Sequence, residues 1–339
     1  MKTLLYIFLL FPFIYCGNSD NKTALLNSNL VTGKTAVKYS KTITPEDLKT
    51  HLYIMASDEF EGRNTGEQGQ KMAAEYIKDF YITHNILSPL GDNDYFQVIP
   101  TVHLKPNLNP SENVVAFIKG SEKPDEIIVI SAHYDHIGKT DENVFNGADD
   151  NGSGTVAIMK IAEAFQTAVE NGNGPKRSIL FLHVTGEEKG LLGSKYYVNH
   201  PIFPLANTVA NLNIDMIGRV DKVHTNTPDF VYLIGSDKLS NELHFISEEI
   251  NTKFTNLLLD YTYNEDNDPN RFYYRSDHYN FAKNNIPIIF YFNGTHQDYH
   301  RPSDTPDKIN YKVLSKRTQL VFFTAWELAN RAERIVVDK

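Results

Sequence analysis

Short apolar runs without regular polar alternation constrain the fold of this chain more than any other feature. Because neighbouring side chains of a strand point to opposite faces, such runs are typical of strands that helices cover on both sides. The sequence therefore predicts the interior strands of an α/β protein. The runs lie at residues 114–118, 127–130, 179–182, 209–212 and 288–291.

Stretches with helical periodicity separate or flank these predicted strands. Thr44, followed by a proline and two acids, is a typical helix start. The alternation predicts a three-layer α/β/α sandwich with a mixed, largely parallel central sheet. With 339 residues and 41% hydrophobic side chains, we expect one domain, at residues 42–336. The other predicted helices lie near residues 68–84, 154–169, 190–199, 239–251 and 311–332.

The N-terminus has the pattern of an export signal. Met1 and Lys2 precede a short apolar stretch that ends at the only cysteine, Cys16. We favour a lipoprotein signal over residues 1–16, with lipid attached to Cys16. An ordinary cleaved signal is the alternative, because Tyr15 is large where a small residue is usual. The polar residues 17–41 are predicted to form a flexible tether.

The overall charge and the cysteine count exclude several classes of site. A formal charge of -9 and the lack of a basic run argue against nucleic acid as a partner, since phosphate binding needs clustered Lys and Arg. The chain after Cys16 has no cysteine, so it forms no disulfide. Any metal ligands there must be nitrogen or oxygen atoms.

Acidic and histidine side chains follow several of the predicted strands. His133 and Asp135 come after one strand, Glu187 and Glu188 after another, and Asp215 after a third. In sheets of this class the groups that bind ligands collect beyond the carboxyl ends of the strands. We therefore expect these side chains to share one site. Asp135, two residues from His133, is predicted to accept the second ring N–H of His133 through its carboxylate.

Two further segments complete the candidate set. Residues 147–154 combine glycines with Asp149, Asp150 and Asn151 just before a helix, and His300 lies in a loop after the last strand. Each segment alone has an ordinary explanation: a surface pair, a turn that caps a helix, acids at a helix start or a solvated histidine. Taken together, two imidazoles, three carboxylates and one free glutamate match the needs of a two-zinc hydrolase.

These segments resemble those of the di-zinc exopeptidase family that contains bacterial leucyl aminopeptidases, glutamate carboxypeptidase and glutaminyl cyclase. The resemblance runs from about residue 52 to residue 332. It also includes the segments at residues 57–63 and 275–278.

The resemblance implies a role for each residue. His133 and Asp215 would hold one zinc ion, and Glu188 and His300 the other. Asp150 would bridge the two ions, and its peptide bond to Asn151 would be cis. The remaining implied roles are Glu187 as general base, Asp135 as partner of His133, Tyr299 as a hydrogen-bond donor to the oxyanion and Asp149 as a non-ligand.

The predicted activity is that of an exported metallo-aminopeptidase with two zinc ions per chain. It would act on peptides in the periplasm, at the outer membrane or outside a bacterial cell. The alternatives are a glutaminyl cyclase or carboxypeptidase on the same scaffold, or a binding protein without catalysis. Cobalt or manganese would suit the same ligands.

Overall fold

A mixed sheet of eight strands forms the centre of the protein. The computed structural model describes residues 30–91 and 93–339. The strand order is β1-β2-β6-β3-β7-β10-β8-β9, with β6, β3, β7 and β10 mutually parallel. A separate hairpin is formed by β4 and β5. The strands are β1 (Phe96–Ile99), β2 (Ser111–Ile118), β3 (Lys123–His133), β4 (Gly138–Lys139), β5 (Val144–Phe145), β6 (Arg177–Val184), β7 (Thr208–Ile214), β8 (Phe230–Ile234), β9 (Leu258–Asp260) and β10 (Ile288–Phe292).

Helices cover both faces of the sheet, which confirms the predicted three-layer sandwich. Neighbouring residues of β3 show the two layers directly, because Ile128 and Ile130 belong to one apolar core while Val129 belongs to the other. None of the helices within the described residues is long and apolar enough to cross a membrane. The helices are α1 (Lys34–Ser40), α2 (Pro45–Met55), α3 (Gln68–Thr83), α4 (Gly154–Glu170), α5 (Leu192–Asn199), α6 (Asn241–Ile250), α7 (His278–Ala282) and α8 (Tyr311–Asn330).

The larger core contains α4 and α8, and the smaller core contains residues of α5 and α7. In α8 the ring of Trp326 stacks on Phe165 of α4 at a centroid distance of 5.5 Å. The predicted cap of α2 is present, since the Thr44 hydroxyl accepts a hydrogen bond from the Asp47 amide at 3.1 Å. The stacked rings join α4 and α8 within the larger core.

The predicted tether is wrong for its last part, because residues 32–40 pack against the domain. Thr32 donates to the Glu327 carboxylate from its amide and its hydroxyl, at 2.9 and 2.8 Å. Ala36 and Tyr39 of α1 are buried, and Tyr39 stacks on Trp326. Two apolar residues in a polar stretch are too weak a pattern to predict this contact from sequence. The predicted signal, Cys16 and residues 17–29 lie outside the described residues.

Candidate metal centre

The candidate residues meet at one edge of the sheet because their strands are neighbours. His133 is the last residue of β3, Glu187 follows β6, and Asp215 directly follows β7. These three parallel strands lie side by side in the order β6-β3-β7. His300 comes from the loop after β10, the next strand in the sheet. Asp150 lies in the segment that leads into α4.

One group of ligand atoms consists of His133, Glu187 and Asp215. The three side chains each offer an atom within 4.8 Å of the others. The Nε2 atom of His133 lies 3.3 Å from Oδ1 of Asp215. Burial lowers the pKa of His133, but the charges of Asp215 and Glu187 outweigh this effect and raise the pKa well above its usual value. This imidazole therefore lies in a strongly negative environment.

A second group lies beside the first and contains Glu188, Asp150 and His300. Nε2 of His300 is 3.1 Å from Oδ2 of Asp150 and 3.3 Å from Oε2 of Glu188. Burial and the charge of Asp150 raise the pKa of Glu188, but the neighbouring imidazoles of His136 and His300 lower it to about 2. Glu188 is therefore a carboxylate at neutral pH.

Asp150 lies between the two groups. Its Oδ1 atom is 3.4 Å from Nε2 of His133, while its Oδ2 atom faces His300. The peptide bond from Asp150 to Asn151 is cis. The Asp304 carboxylate accepts hydrogen bonds from the amides of Asp149 and Asp150 at 3.0 and 3.1 Å. The carboxylate of Asp150 thus has one oxygen directed to each half of the site, which suits a bridging ligand.

Asp149, the neighbouring acid, points away from both groups. Its carboxylate accepts from the Gly218 amide at 2.7 Å and from the Asn293 side chain at 3.0 Å. Nε2 of His296 lies 3.1 Å from the same carboxylate. These contacts satisfy the buried carboxylate of Asp149, so Asp149 has a structural role.

His136 is a member of the second group that the sequence reasoning missed. Its Nδ1 atom lies 2.9 Å from Oε1 of Glu188 and 3.8 Å from Oδ2 of Asp150. The ring is fully buried and packs on Gly147, where an added Cβ would come within 2.5 Å of it. The signal was present in the sequence, because His136 directly follows Asp135 and is the third polar residue after β3.

The predicted contact between Asp135 and His133 differs in its acceptor atom. Nδ1 of His133 lies 3.1 Å from the backbone oxygen of Asp135, while the nearest carboxylate oxygen is 3.7 Å away. The carboxylate instead accepts from the Thr65 hydroxyl at 2.7 Å and from the Glu187 amide at 3.1 Å. The strand ends at His133, so the alternation of side chains that motivated the prediction no longer applies. Asp135 still links His133 to the turn that carries Glu187.

Several buried nitrogen and oxygen atoms of the site lack a hydrogen-bond partner, and a bound metal ion would satisfy them. Within the described residues, both ring nitrogens of His136, Oδ2 of Asp150 and Oε1 of Glu188 have no hydrogen bond of acceptable geometry. A buried polar atom without a partner costs about 1–3 kcal/mol. Imidazole nitrogens and carboxylate oxygens are the donor set that zinc accepts in the absence of cysteine. The composition of the site therefore suits a divalent cation.

A small pocket of about 30 Å³ opens over the two groups. Glu187 lines it and is half-buried. Burial raises the pKa of Glu187, the imidazole of His133 lowers it, and Asp215 and Asp277 raise it further, so the net shift is well upward. Such a carboxylate readily accepts a proton. Tyr299 lines the pocket as well, and its ring stacks on His300 at 3.8 Å.

The segment at residues 275–278 divides between the pocket and the packing behind it. Arg275 lines the pocket, and the Ser276 hydroxyl donates to Asp215 at 2.6 Å. Asp277 accepts from the Ser194 hydroxyl at 2.5 Å. His278 is buried and stacks on Phe290, so it belongs to the packing. The apolar wall of the pocket is formed by Met216, Phe272, Phe290 and Phe292.

Comparisons with known proteins agree with this architecture. The profile described as Peptidase family M28 matches residues 113–325, which include His133, Asp150, Glu187, Glu188 and Asp215 and the loop with His300. A probable leucine aminopeptidase of Trichophyton verrucosum is 31% identical over 224 residues, which are 64% of this chain and 57% of that protein. The chain thus spans little more than half the length of that relative.

Solved structures share the fold at lower identity. LapB from Legionella pneumophila has a TM-score of 0.70 at 20% identity, with 93% of this chain and 81% of that chain covered. A glutaminyl cyclase from Bacteroides thetaiotaomicron, bound to N-acetylhistamine, has a TM-score of 0.63 at 15% identity, with 84% and 98% covered. At these identities the likeness establishes the fold alone.

Proposed function

The chain belongs to Peptidase family M28, and we propose that it is a zinc-dependent aminopeptidase that removes single residues from the N-terminus of peptides. The observation that carries this proposal is the convergence of ligands from separate strands around Asp150, with Glu187 beside them. The N-terminal end of a peptide would enter the pocket that Glu187 and Tyr299 line.

We propose that two zinc ions are held by the two groups. His133 and Asp215 would hold one ion, Glu188 and His300 the other, and Asp150 would bridge them. The opposite directions of the two Asp150 oxygens support this assignment. When bound, zinc supplies Lewis-acid chemistry, which polarises a carbonyl and lowers the pKa of a water toward ~7.

The residues of the chain would supply proton transfer and orientation. Glu187 would take a proton from the attacking water and donate it to the leaving amine. Tyr299, beside His300 at the edge of the pocket, would donate a hydrogen bond to the oxygen that becomes negative. The apolar wall around Phe290 would accept an apolar N-terminal side chain.

The variant Glu187→Gln separates proton transfer from metal binding. We expect its zinc content to stay near two ions per chain while kcat on a leucyl anilide falls about 10²–10⁴-fold. Zinc would be measured by atomic emission on the same samples used for the kinetics. Glu170→Gln, an exposed change at the end of α4, is the matched control and should behave as the wild type.

Two results would contradict the roles assigned here. Full activity of Glu187→Gln would exclude this glutamate as the base. Loss of zinc in parallel with activity would make Glu187 a ligand, which its place in the group with His133 and Asp215 permits.

Substrate class is tested by a panel rather than by a single substrate. A leucyl anilide reports aminopeptidase activity, and a peptide with an N-terminal glutamine reports cyclisation. A peptide with a blocked N-terminus reports carboxypeptidase activity. We expect hydrolysis of the first substrate and its loss after chelation. Turnover of one of the others alone would assign the chain to a different reaction on the same fold.

We further propose that the chain is exported from a bacterial cell and held at a membrane by lipid on Cys16. This proposal rests on the sequence of residues 1–16. Metabolic labelling with a fatty acid should mark the wild-type protein and leave Cys16→Ser unmarked. Equal labelling of both proteins, or of neither, would reject a lipid anchor at this cysteine.

A further inference from the structure

The turn that carries Glu187 and Glu188 also forms a wall of a second cavity. This cavity, the basic groove, is lined by Lys105, Lys189 and Lys195 together with His103, Tyr196 and His200, and its volume is about 500 Å³. No Asp or Glu among the described residues lines it. The chain has a formal charge of -9. A cavity with basic but no acidic side chains therefore has the opposite charge to the protein as a whole.

In the part of the chain that the structure describes, the three lysines of the basic groove form no ion pair, in contrast to lysines such as Lys308 and Lys316. Lys308 is 2.8 Å from Asp298, and Lys316 is 2.7 Å from Asp229. Within residues 30–91 and 93–339, no carboxylate lies within 4.0 Å of the ammonium groups of the three groove lysines. Their positive charges are therefore free to attract an anion from solution.

Stacked rings give the groove a defined floor. Tyr196 and His200 stack with centroids 4.4 Å apart, and His103 meets both rings edge-on at 5.1 and 4.9 Å. The amide of His200 donates to the Tyr196 carbonyl at 2.9 Å. The backbone oxygen of His200 accepts from Gln97 at 2.8 Å. These contacts join α5 to the loop after β1, so the two sides of the groove are held together.

The basic groove and the candidate metal centre share the turn at residues 186–192. Lys189 directly follows Glu188 in a turn closed by hydrogen bonds from the Gly190 amide to the Glu187 carbonyl, 2.8 Å, and from the Leu192 amide to the Gly186 carbonyl, 2.9 Å. Lys189, Gly190 and Leu192 all line the groove. A single rigid turn therefore borders both the proposed catalytic glutamate and the basic groove.

We propose that the basic groove binds acidic side chains of the peptide substrate downstream of the bond that is cleaved. This inference rests on the proposed aminopeptidase function. A peptide with its N-terminus over the metal centre would pass the turn at residues 187–190, and carboxylates further along it would meet unpaired ammonium groups. The groove thus selects peptides that carry Asp or Glu a few residues after the N-terminus.

The test compares matched peptides with N-terminal leucine. Each pair has either two aspartates or two asparagines, placed at increasing distance from the cleaved bond. With exposed ion pairs at their usual strength, we expect kcat/KM to favour the acidic peptide about fivefold at the best distance. The preference should fall toward one in 0.5 M salt, because salt screens exposed charges.

Variants locate the preference in the groove. In the double variant Lys105→Gln with Lys195→Gln, the ratio of kcat/KM between acidic and neutral peptides should approach one. Lys119→Gln changes an exposed lysine just after β2, at the end of the strands opposite the groove, and should keep the wild-type ratio. A ratio of one in the wild type at every distance, or a ratio that the double variant does not change, overturns the proposal.

Direct binding separates this inference from the proposed function. A fluorescent acidic peptide with an acetylated N-terminus should bind the wild type more tightly than the double variant in anisotropy measurements. Leucyl anilide hydrolysis with no preference and no anisotropy difference would refute the groove alone. Absence of all hydrolysis would refute the proposed function, and the substrate role of the groove with it. Displacement by a sulfated oligosaccharide but not by the unlabelled peptide would assign the groove to a different anion.

Discussion

Replacement of Arg63 by methionine should destabilise the protein more than almost any other change outside the proposed metal ligands. Arg63 is completely buried. Its guanidinium donates to the backbone oxygens of Tyr134 at 2.9 Å, Met55 at 2.7 Å, Asn146 at 2.7 Å and Gly147 at 2.8 Å. These oxygens belong to three separate segments, so one side chain joins α2, the end of β3 and the loop before Asp150.

The magnitude follows from the groups that would lose their donor. Each buried oxygen without a donor costs about 1–3 kcal/mol. Burial lowers the pKa of Arg63 to about 10, against the nearby carboxylates led by Asp135, which raise it. Replacement of the charged side chain therefore recovers part of the free energy lost by burying the charge. It also leaves the nearby carboxylates without the positive charge that neutralises them. By analogy with other buried charged groups, we expect a net loss of about 3–5 kcal/mol.

Urea unfolding measures this loss. The chain has one tryptophan, Trp326, which is buried in α8 between aromatic rings, so its fluorescence reports the unfolding of the core. Arg63→Lys should lose less than Arg63→Met, because an ammonium group retains some of the donors but not the planar fork. Urea titrations of the wild type, Arg63→Lys and Arg63→Met should give the same order of unfolding free energies with excess zinc and after chelation.

The matched control is Arg334→Met. Arg334 also donates to backbone oxygens, those of Ala206 and Thr208, but it lies near the surface. Water replaces the lost donor there, so we expect a change below about 1 kcal/mol. An Arg63→Met variant that loses less than about 1 kcal/mol, or no more than Arg334→Met, would refute the argument.

Two other predictions follow from buried histidines. His136→Gln removes the ring next to Glu188. We expect the affinity for the proposed second zinc ion to fall about 10–100-fold in a chelator competition, whereas His244→Gln, remote on α6, should not change it. Equal affinities of the wild type and both variants would contradict a role of His136 in this site. His183 has a pKa of about 3 because of burial and pairs with the Tyr81 hydroxyl at 2.6 Å. Since the unfolded chain binds a proton below about pH 6.5 that the folded chain does not, this histidine removes about 1.4 kcal/mol of stability per pH unit between there and its folded pKa. The unfolding free energy of His183→Gln should therefore fall about 2 kcal/mol less than that of the wild type between pH 7 and pH 5, and parallel profiles would contradict this.

Much of the sheet could be predicted because its central strands are apolar on both faces. The same criterion missed β1 and β9, which are short and lie at the edges of the sheet. It also missed β8, although all five of its residues are buried and apolar. The order of the strands depends on long-range packing and does not follow from any local pattern.

The metal centre shows a similar division between local and tertiary information. Strand ends predicted that His133, Glu187 and Asp215 would meet, and the structure brings them together. The acceptor for His133 was predicted incorrectly because the backbone leaves the strand at that residue. His136 enters the site through the same change of direction, supported by a hydrogen bond from its amide to the Arg63 carbonyl at 3.0 Å. Such a turn depends on contacts with distant residues.

The distribution of the ligands along the chain has a consequence for biosynthesis. The first of the proposed ligands is residue 133 and the last is residue 300, and most of them follow the adjacent strands β6, β3, β7 and β10. A nascent chain that has not yet released residue 300 from the ribosome lacks His300, although its other proposed ligands have been made. We therefore expect the complete set of proposed ligands to assemble only after β10 has joined the sheet, and a chain interrupted before residue 300 would lack one of them.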